Sequence, residues 1–195
     1  MNVCVSAPRL SNLELLWRPN ISLNGFITDD TLTFFLQRLE EVRDANEHLV
    51  MELNTQGGDA DVARRIAMEI RLFVRHSGKE TYCIGKTNIY SAGVTILAAF
   101  PRERRFLTED AVLLVHERRL DHSIQIVGPI SACIQIVREQ LSMLETAHDL
   151  AMEGFRDLVE ESDLSVEELY ERATGNCYLH AKEALELGLI AEILK

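Results

Sequence analysis

Apolar and polar positions along this 195-residue chain switch repeatedly between a period near two and a period near three and a half. Residues 20–25, NISLNG, alternate and end on glycine, which predicts a strand. Thr28 or Asp29 then caps a helix whose apolar positions, Leu32, Phe35, Leu36, Leu39 and Val42, lie on one face. Residues 49–53, LVMEL, predict a second strand that runs straight into Asn54-Thr55-Gln56-Gly57-Gly58. Asp59 caps the next helix, with Val62, Ile66, Ile70 and Phe73 on one face and Gly78 closing it. A third strand at 81–84 leads into CIGKTNIYSAGVTILAAF at 83–100. That stretch reads as a strand end, a polar connection and a buried helix that begins at or beside Ser91 and is stopped by Pro101.

A short strand is expected at 104–107, and the continuous apolar run AVLLV at 111–115 predicts a central strand covered on both faces, ending at His116. Residues 121–128, DHSIQIVG, alternate over a short span. The pattern then becomes one long helical stretch at 130–161, with Ile134, Val137, Leu141, Leu144, Ala147 and Ala151 at helical spacing. Ser165 and Glu168 form a capping box for the next helix, and Thr174-Gly175-Asn176 breaks it. A last helix at 181–187 ends at Gly188, and 189–194 predict a final strand.

Strands and helices therefore alternate through the first two-thirds, which implies an α/β fold with a mainly parallel sheet and right-handed crossovers. Ligand sites in such sheets lie beyond the carboxyl ends of the strands. Gly57-Gly58, Ser91 and His116 each follow a predicted strand at that end, so three chemically suggestive features share one edge.

Composition narrows the partners. The formal net charge of −11 argues against nucleic acid, because phosphate binding needs a concentrated basic surface. The one basic cluster, Arg102, Arg104 and Arg105, reads as a solvated turn. No apolar run reaches the length of a membrane span, and the N-terminus lacks the charge and apolar pattern of a secretory signal. Four scattered cysteines with no metal-ligand spacing suggest reduced thiols, a cytoplasmic setting, no metal and no cofactor. Residues 1–19 read as a tail that is loosely structured or partner-dependent, and 20–195 as one domain with no internal repeat.

Ser91 stands at a strand-to-helix junction, beside backbone N–H groups that have no intrahelical partner. That setting suits a nucleophile whose reaction passes through an oxyanion, and it equally suits an ordinary helix cap. Of the six histidines, His116 alone is expected at the same sheet edge, as a general base or as a strand-end residue bonded to backbone. The N–H of Ala92 and that of Gly57 or Gly58 are the candidate oxyanion donors, the glycines otherwise serving only to turn the chain.

Four segments taken in order, NTQGG at 54–58, YSAG at 90–93, VHER at 115–118 and AKEALELGLIA at 181–191, resemble the Clp protease proteolytic subunit family. Members carry Asn-Ser-Pro-Gly-Gly, Ala-Ser-Met-Gly, Ile-His-Gln-Pro and a closing Gly-Leu-Ile-Asp. The resemblance spans about 20–194 and implies a ClpP/crotonase-like spiral of βαβ units with a protruding handle helix at 130–161. It implies a serine endopeptidase with Ser91 as nucleophile, His116 as base, and the N–H groups of Gly58 and Ala92 holding the oxyanion. It further implies heptameric rings stacked face to face, an AAA+ unfoldase partner and unfolded polypeptide as substrate.

The chain departs from the pattern at the third catalytic position. Counted back from Gly188, it falls on Asn176 where the family has aspartate, and Asp157 or Asp163 can replace it only if the chain path differs. An asparagine orients a histidine without supplying a full charge. The connection from Gly85 to Ser91 is longer than the family's, and ERRLDHSIQIVG replaces a Pro- and Gly-rich segment after the histidine. Two other readings stand beside the peptidase: a weak or inactive subunit of a mixed ring, and a crotonase-like acyl-CoA enzyme that would leave Ser91 and His116 without a necessary role.

Overall fold

A computed structural model describes residues 16–195, so most of the expected tail lies outside the described residues. Within them, Leu16 is buried against Val50, Tyr82 and Ile84. The chain runs β1 (Ile21–Ile27), α1 (Asp29–Asp44), β2 (Leu49–Gly58), α2 (Ala60–His76), β3 (Thr81–Tyr90) and α3 (Ala92–Leu97). It continues through β4 (Arg105–Thr108), β5 (Val112–Val115), α4 (Ile130–Val159), α5 (Val166–Ala173), β6 (Cys177–His180), α6 (Ala181–Glu186) and β7 (Glu192–Leu194).

The crossovers are those the periodicity predicts. Thr28 caps α1 with a reciprocal box to Thr31, Asp59 caps α2 through two backbone N–H groups, and Ser165 boxes with Glu168 to start α5. Phe35, Leu39, Ile66, Ile70 and Phe73 pack from α1 and α2 onto the strands, and α3 is buried along nearly its whole length.

The sheet branches, and this separates fold from expectation. Strands β1, β2, β3, β4 and β7 lie side by side and parallel. Strand β3 does not stop at 84 but continues to Tyr90, so the long connection expected between Gly85 and Ser91 is strand. Its first half pairs with β4 and its second half with β5. Between the halves the register slips from Leu53↔Gly85 to Thr55↔Ile89, and Thr87 takes φ 51. Such a bulge bends and re-aims a strand. Here it turns the end of β3, and Ser91 after it, towards β5.

Strand β5 alternates between buried and half-buried residues and is not covered on both faces. Strand β6, missed in the sequence, pairs antiparallel with it. Residues 121–128 form no strand in spite of their alternation. Helix α4 is 30 residues long, about 45 Å at the α-helical rise, and buries only Phe155, Leu158 and Val159 at its C-terminal end. The remainder stands off the body as a handle and exposes Ile130, Ile134, Val137, Leu141 and Leu144.

Arg105 is not in a solvated turn: it is 2% exposed, one of the largest fully buried side chains. Its guanidinium donates to the carbonyls of Phe100 (2.8 Å) and Ala98 (3.1 Å), just past α3, and of Leu158 (2.9 Å) and Asp157 (3.1 Å) at the end of α4. A longer contact reaches Leu189 at 3.5 Å, and the Arg105 carbonyl accepts from Ala191. Burial lowers its pKa to about 10, still high enough to keep it a cation at neutral pH. Helix C-termini present unpaired carbonyls and negative partial charge, so a cation with five fixed donors satisfies two of them at once.

Arg105→Met would strand these carbonyls away from water and should cost at least about 3 kcal/mol in urea unfolding, from more than one lost buried acceptor pairing. Arg105→Lys keeps the charge but not the fork and should cost about 2 kcal/mol. Near-zero loss in either variant would show that water or neighbours satisfy those carbonyls without the guanidinium.

Candidate active site

Ser91 follows β3 directly and precedes the first residue of α3, the place its sequence pattern indicates. Its backbone, however, is φ 55, ψ −115, and its side chain makes no capping hydrogen bond. Non-glycine residues occupy that region only when the surroundings hold them there, at a cost of about 1–3 kcal/mol. Two backbone bonds do the holding: the Ser91 N–H donates to Leu114 of β5 at 2.8 Å, and its carbonyl accepts from Val94 at 2.9 Å. The hydroxyl is thus left unspent at a strained strand-to-helix turn, and the plain cap reading does not describe it.

Glycines make the turn sterically feasible. Gly57, at φ +97, approaches so closely that an added Cβ would lie 2.8 Å from Ser91 Cβ and 3.0 Å from the Tyr90 carbonyl oxygen. An added Cβ on Gly93 would come within 2.4 Å of Thr55 Cγ2. Thr55, buried between them, accepts the Gly57 N–H at 3.0 Å. Gly57 has therefore spent its donor, and Gly58 is the glycine of the pair left to face the cleft. Gly58 cannot be replaced either, because a Cβ there would meet the Ile27 carbonyl oxygen at 2.3 Å. Ala92 opens α3, where an N–H has no intrahelical partner.

His116 follows β5 and lines the same cleft of about 520 Å³ as Gly58, Ser91 and Ala92. Its Nδ1 lies 2.6 Å from the Glu117 carbonyl oxygen. A carbonyl only accepts, so Nδ1 carries the hydrogen; in the neutral imidazole this leaves the lone pair on Nε2, the tautomer a general base requires. The next three residues are each tied to a different element. Glu117 lies close enough to the Tyr170 hydroxyl of α5 to raise that phenol's pKa. Arg118 pairs with Asp61 of α2 at 2.6 Å and is the main reason the Asp61 carboxyl lies below its usual range. Arg119 donates to Asn176 Oδ1 at 3.3 Å.

Asn176 is brought beside the site but does not bond to His116. The β5–β6 ladder ends at Val115↔Cys177, so one further step would set His116 opposite Asn176. Asn176 leaves the ladder at φ 61, in the turn after α5. Asparagine is among the side chains that tolerate that left-handed conformation best. Asp157 is engaged by Arg71 at 2.5 Å, and the Asp163 backbone is tied to Leu187. His48 accepts from the Glu80 N–H at the opposite ends of the strands, and His148 lies edge-on to Tyr170. Burial raises the thiol pKa of Cys83 and of Cys177, which keeps them protonated. Among the described residues no cluster of His, Cys, Asp or Glu could hold a metal ion, and no helix is long and apolar enough to cross a membrane.

The Clp protease family model matches residues 12–195. This chain belongs to the Clp protease family. It is 27% identical over 157 residues to the ATP-dependent Clp protease proteolytic subunit 2 of Treponema denticola, covering 80% of this chain and 71% of that protein. It is 26% identical over 177 residues to the ATP-dependent Clp protease proteolytic subunit of Streptococcus sanguinis, covering 90% and 84%. An asparagine-to-aspartate mutant of ClpP1 from Listeria monocytogenes superposes with a TM-score of 0.68 at 19% identity, over 95% of this chain and 96% of that one. The fold is accordingly ClpP/crotonase-like, and the family is one of peptidases.

The residues that sequence reasoning missed are Thr55, Glu117, Arg118 and Arg119. Thr55 stands inside the NTQGG run, where a hydroxyl two residues before a glycine is its only signal in the sequence. Nothing in the local sequence marks a backbone carbonyl as a partner for His116.

Gly57→Ala and Gly25→Ala separate conformational cost from close approach. Both glycines have similar positive φ, +97 and +89, but nothing lies within 4 Å of a Cβ built at Gly25. Gly25→Ala should cost about 1–2 kcal/mol for the left-handed backbone alone. Gly57→Ala should cost at least about 2 kcal/mol more, of the order of a core overpacking. Equal urea midpoints would mean that Ser91 does not press on Gly57.

Proposed function

We propose that this chain is a serine endopeptidase subunit that cleaves unfolded polypeptide inside an oligomeric chamber, with Ser91 as nucleophile, His116 as general base and the N–H groups of Gly58 and Ala92 holding the oxyanion. The observation that carries the reading is the backbone of Ser91, strained at φ 55, ψ −115 with its hydroxyl free of any capping bond. A cap would relax and use its oxygen; a nucleophile has to present it. Nε2 of His116 takes the Ser91 proton as the hydroxyl attacks the carbonyl, and the negative oxygen settles on the two N–H donors. The imidazolium then protonates the leaving amine. Water, activated by the same nitrogen, hydrolyses the acyl-enzyme and restores the serine. No cofactor or metal enters any step.

Asn176 is the third catalytic position on this reading, one ladder step from His116. As a neutral amide bonded to Arg119 and not to His116, it brings no charge to the imidazolium. Residues 20–195 are proposed as one peptidase domain, 130–161 as its handle, and 1–19 as a tail. The apolar stripe on α4 supports a homo-oligomeric ring, heptameric or doubled, since exposed apolar faces of that length mark interfaces. An AAA+ unfoldase partner and a cytoplasmic location follow from the family reading.

A second reading is favoured by two observations: Asn176 Oδ1 is taken by Arg119, and His116 Nδ1 faces a backbone carbonyl. On it the chain is a weak or inactive subunit that builds a mixed ring.

A fluorophosphonate probe decides between them. Wild type should be labelled and Ser91→Ala should not; a folded, unlabelled wild type would leave the scaffold reading. Native mass measurement should give a ring, and Leu141→Glu on the handle should break the assembly into smaller species. A stable wild-type monomer sinks the chamber.

A further inference from the structure

Arg119 and Asn176 form a contact that no step of the proposed mechanism uses. Arg119 lies three residues after His116, in the segment that replaces the Pro- and Gly-rich stretch of the family pattern. Its guanidinium donates to Asn176 Oδ1 at 3.3 Å, in an exposed contact. Asn176 lies one step beyond the last β5–β6 pair, Val115↔Cys177. The oxygen that would receive a hydrogen from His116 Nδ1 is thus engaged elsewhere, while Nδ1 donates to Glu117.

We infer that Arg119 is a positioning residue that holds the side chain at 176 away from His116, so that the Glu117 carbonyl alone orients the imidazole. The inference rests on the serine-peptidase reading. Its chemistry has a sharp consequence. An aspartate at 176 would be a stronger acceptor for a guanidinium than asparagine is, because a carboxylate and a guanidinium make a charge-assisted, bidentate pair. Arg119 would therefore capture the new carboxylate before His116 could use it. Restoring the acid alone does not restore the triad; removing the competing cation is required as well.

The test is the second-order rate of fluorophosphonate labelling at Ser91 in the assembled full chain. It compares Asn176→Asp alone with Asn176→Asp combined with Arg119→Ala, Arg119→Gln or Arg119→Lys. The Ala and Gln doubles should label about tenfold faster than Asn176→Asp alone, the worth of one hydrogen bond to a charged acceptor regained by the imidazole. The Lys double keeps a cation beside the carboxylate and should stay within about threefold of Asn176→Asp, well under that one-bond gain. In the Asn176 background Arg119→Ala should gain much less, so the two substitutions should be non-additive. A merely structural Arg119 would change melting temperature equally in both backgrounds and would not distinguish Lys from Gln. Equal labelling of Asn176→Asp and the Ala double overturns the inference and leaves the peptidase reading standing. If the doubles are folded and assembled yet no form of the chain labels, the peptidase reading falls and this inference falls with it.

Discussion

The buried guanidinium of Arg105 holds the ends of the two helices on which the site's shape depends. It bonds the carbonyls just past α3, the helix that Ser91 opens, and those at the end of α4, the handle. Helix α3 is six residues long and could not hold itself in water. Its position comes from burial along one side and from the anchored carboxyl end. The handle has the opposite problem, since only its last turns are buried and the lever beyond them is long. One cation at the junction fixes both, and the strain at Ser91 can persist because the helix after it cannot rotate to release it.

The second constraint is the close approach of β2 to that turn. Gly57 touches Ser91, Gly93 touches Thr55, and Thr55 takes the Gly57 N–H. Three small or buried residues thus hold two strand ends in contact. The bulge in β3 at 85–89 completes the arrangement by handing the strand from β4 to β5. Because of that transfer the Ser91 N–H reaches Leu114, two residues before His116. Serine and histidine share a cleft through a change of strand partner.

These features differ in how visible they were in the sequence. The amphipathic helices, their caps and the parallel alternation were legible because periodicity and capping are local properties. So was the convergence of Gly58, Ser91 and His116, which follows from strand direction alone. Strand β6 was not legible: its four residues follow a turn signal and precede a helix, and only pairing with β5 makes them a strand. Residues 121–128 alternate yet form no strand, having no strand partner among the described residues. Arg105 could not be told from its neighbours Arg102 and Arg104 either. Burial of an arginine depends on carbonyls that arrive from 50 and more residues away.

The place of Asn176 shows how one residue can satisfy two demands that a sequence reading cannot separate. At φ 61 after a helix, asparagine is a good conformational choice. One step past the β5–β6 ladder, it also stands where a histidine's orienting partner would be expected. The observed bonds favour the first role, since Arg119 holds its oxygen and Glu117 holds His116. A backbone carbonyl fixes the imidazole tautomer as well as a carboxylate does, but it brings only a dipole to the imidazolium. On the serine-peptidase reading proposed above, the site is organised for orientation more than for charge stabilisation. Arg118 and Arg119 in turn contact Asp61 of α2 and Asn176, from two separate parts of the fold.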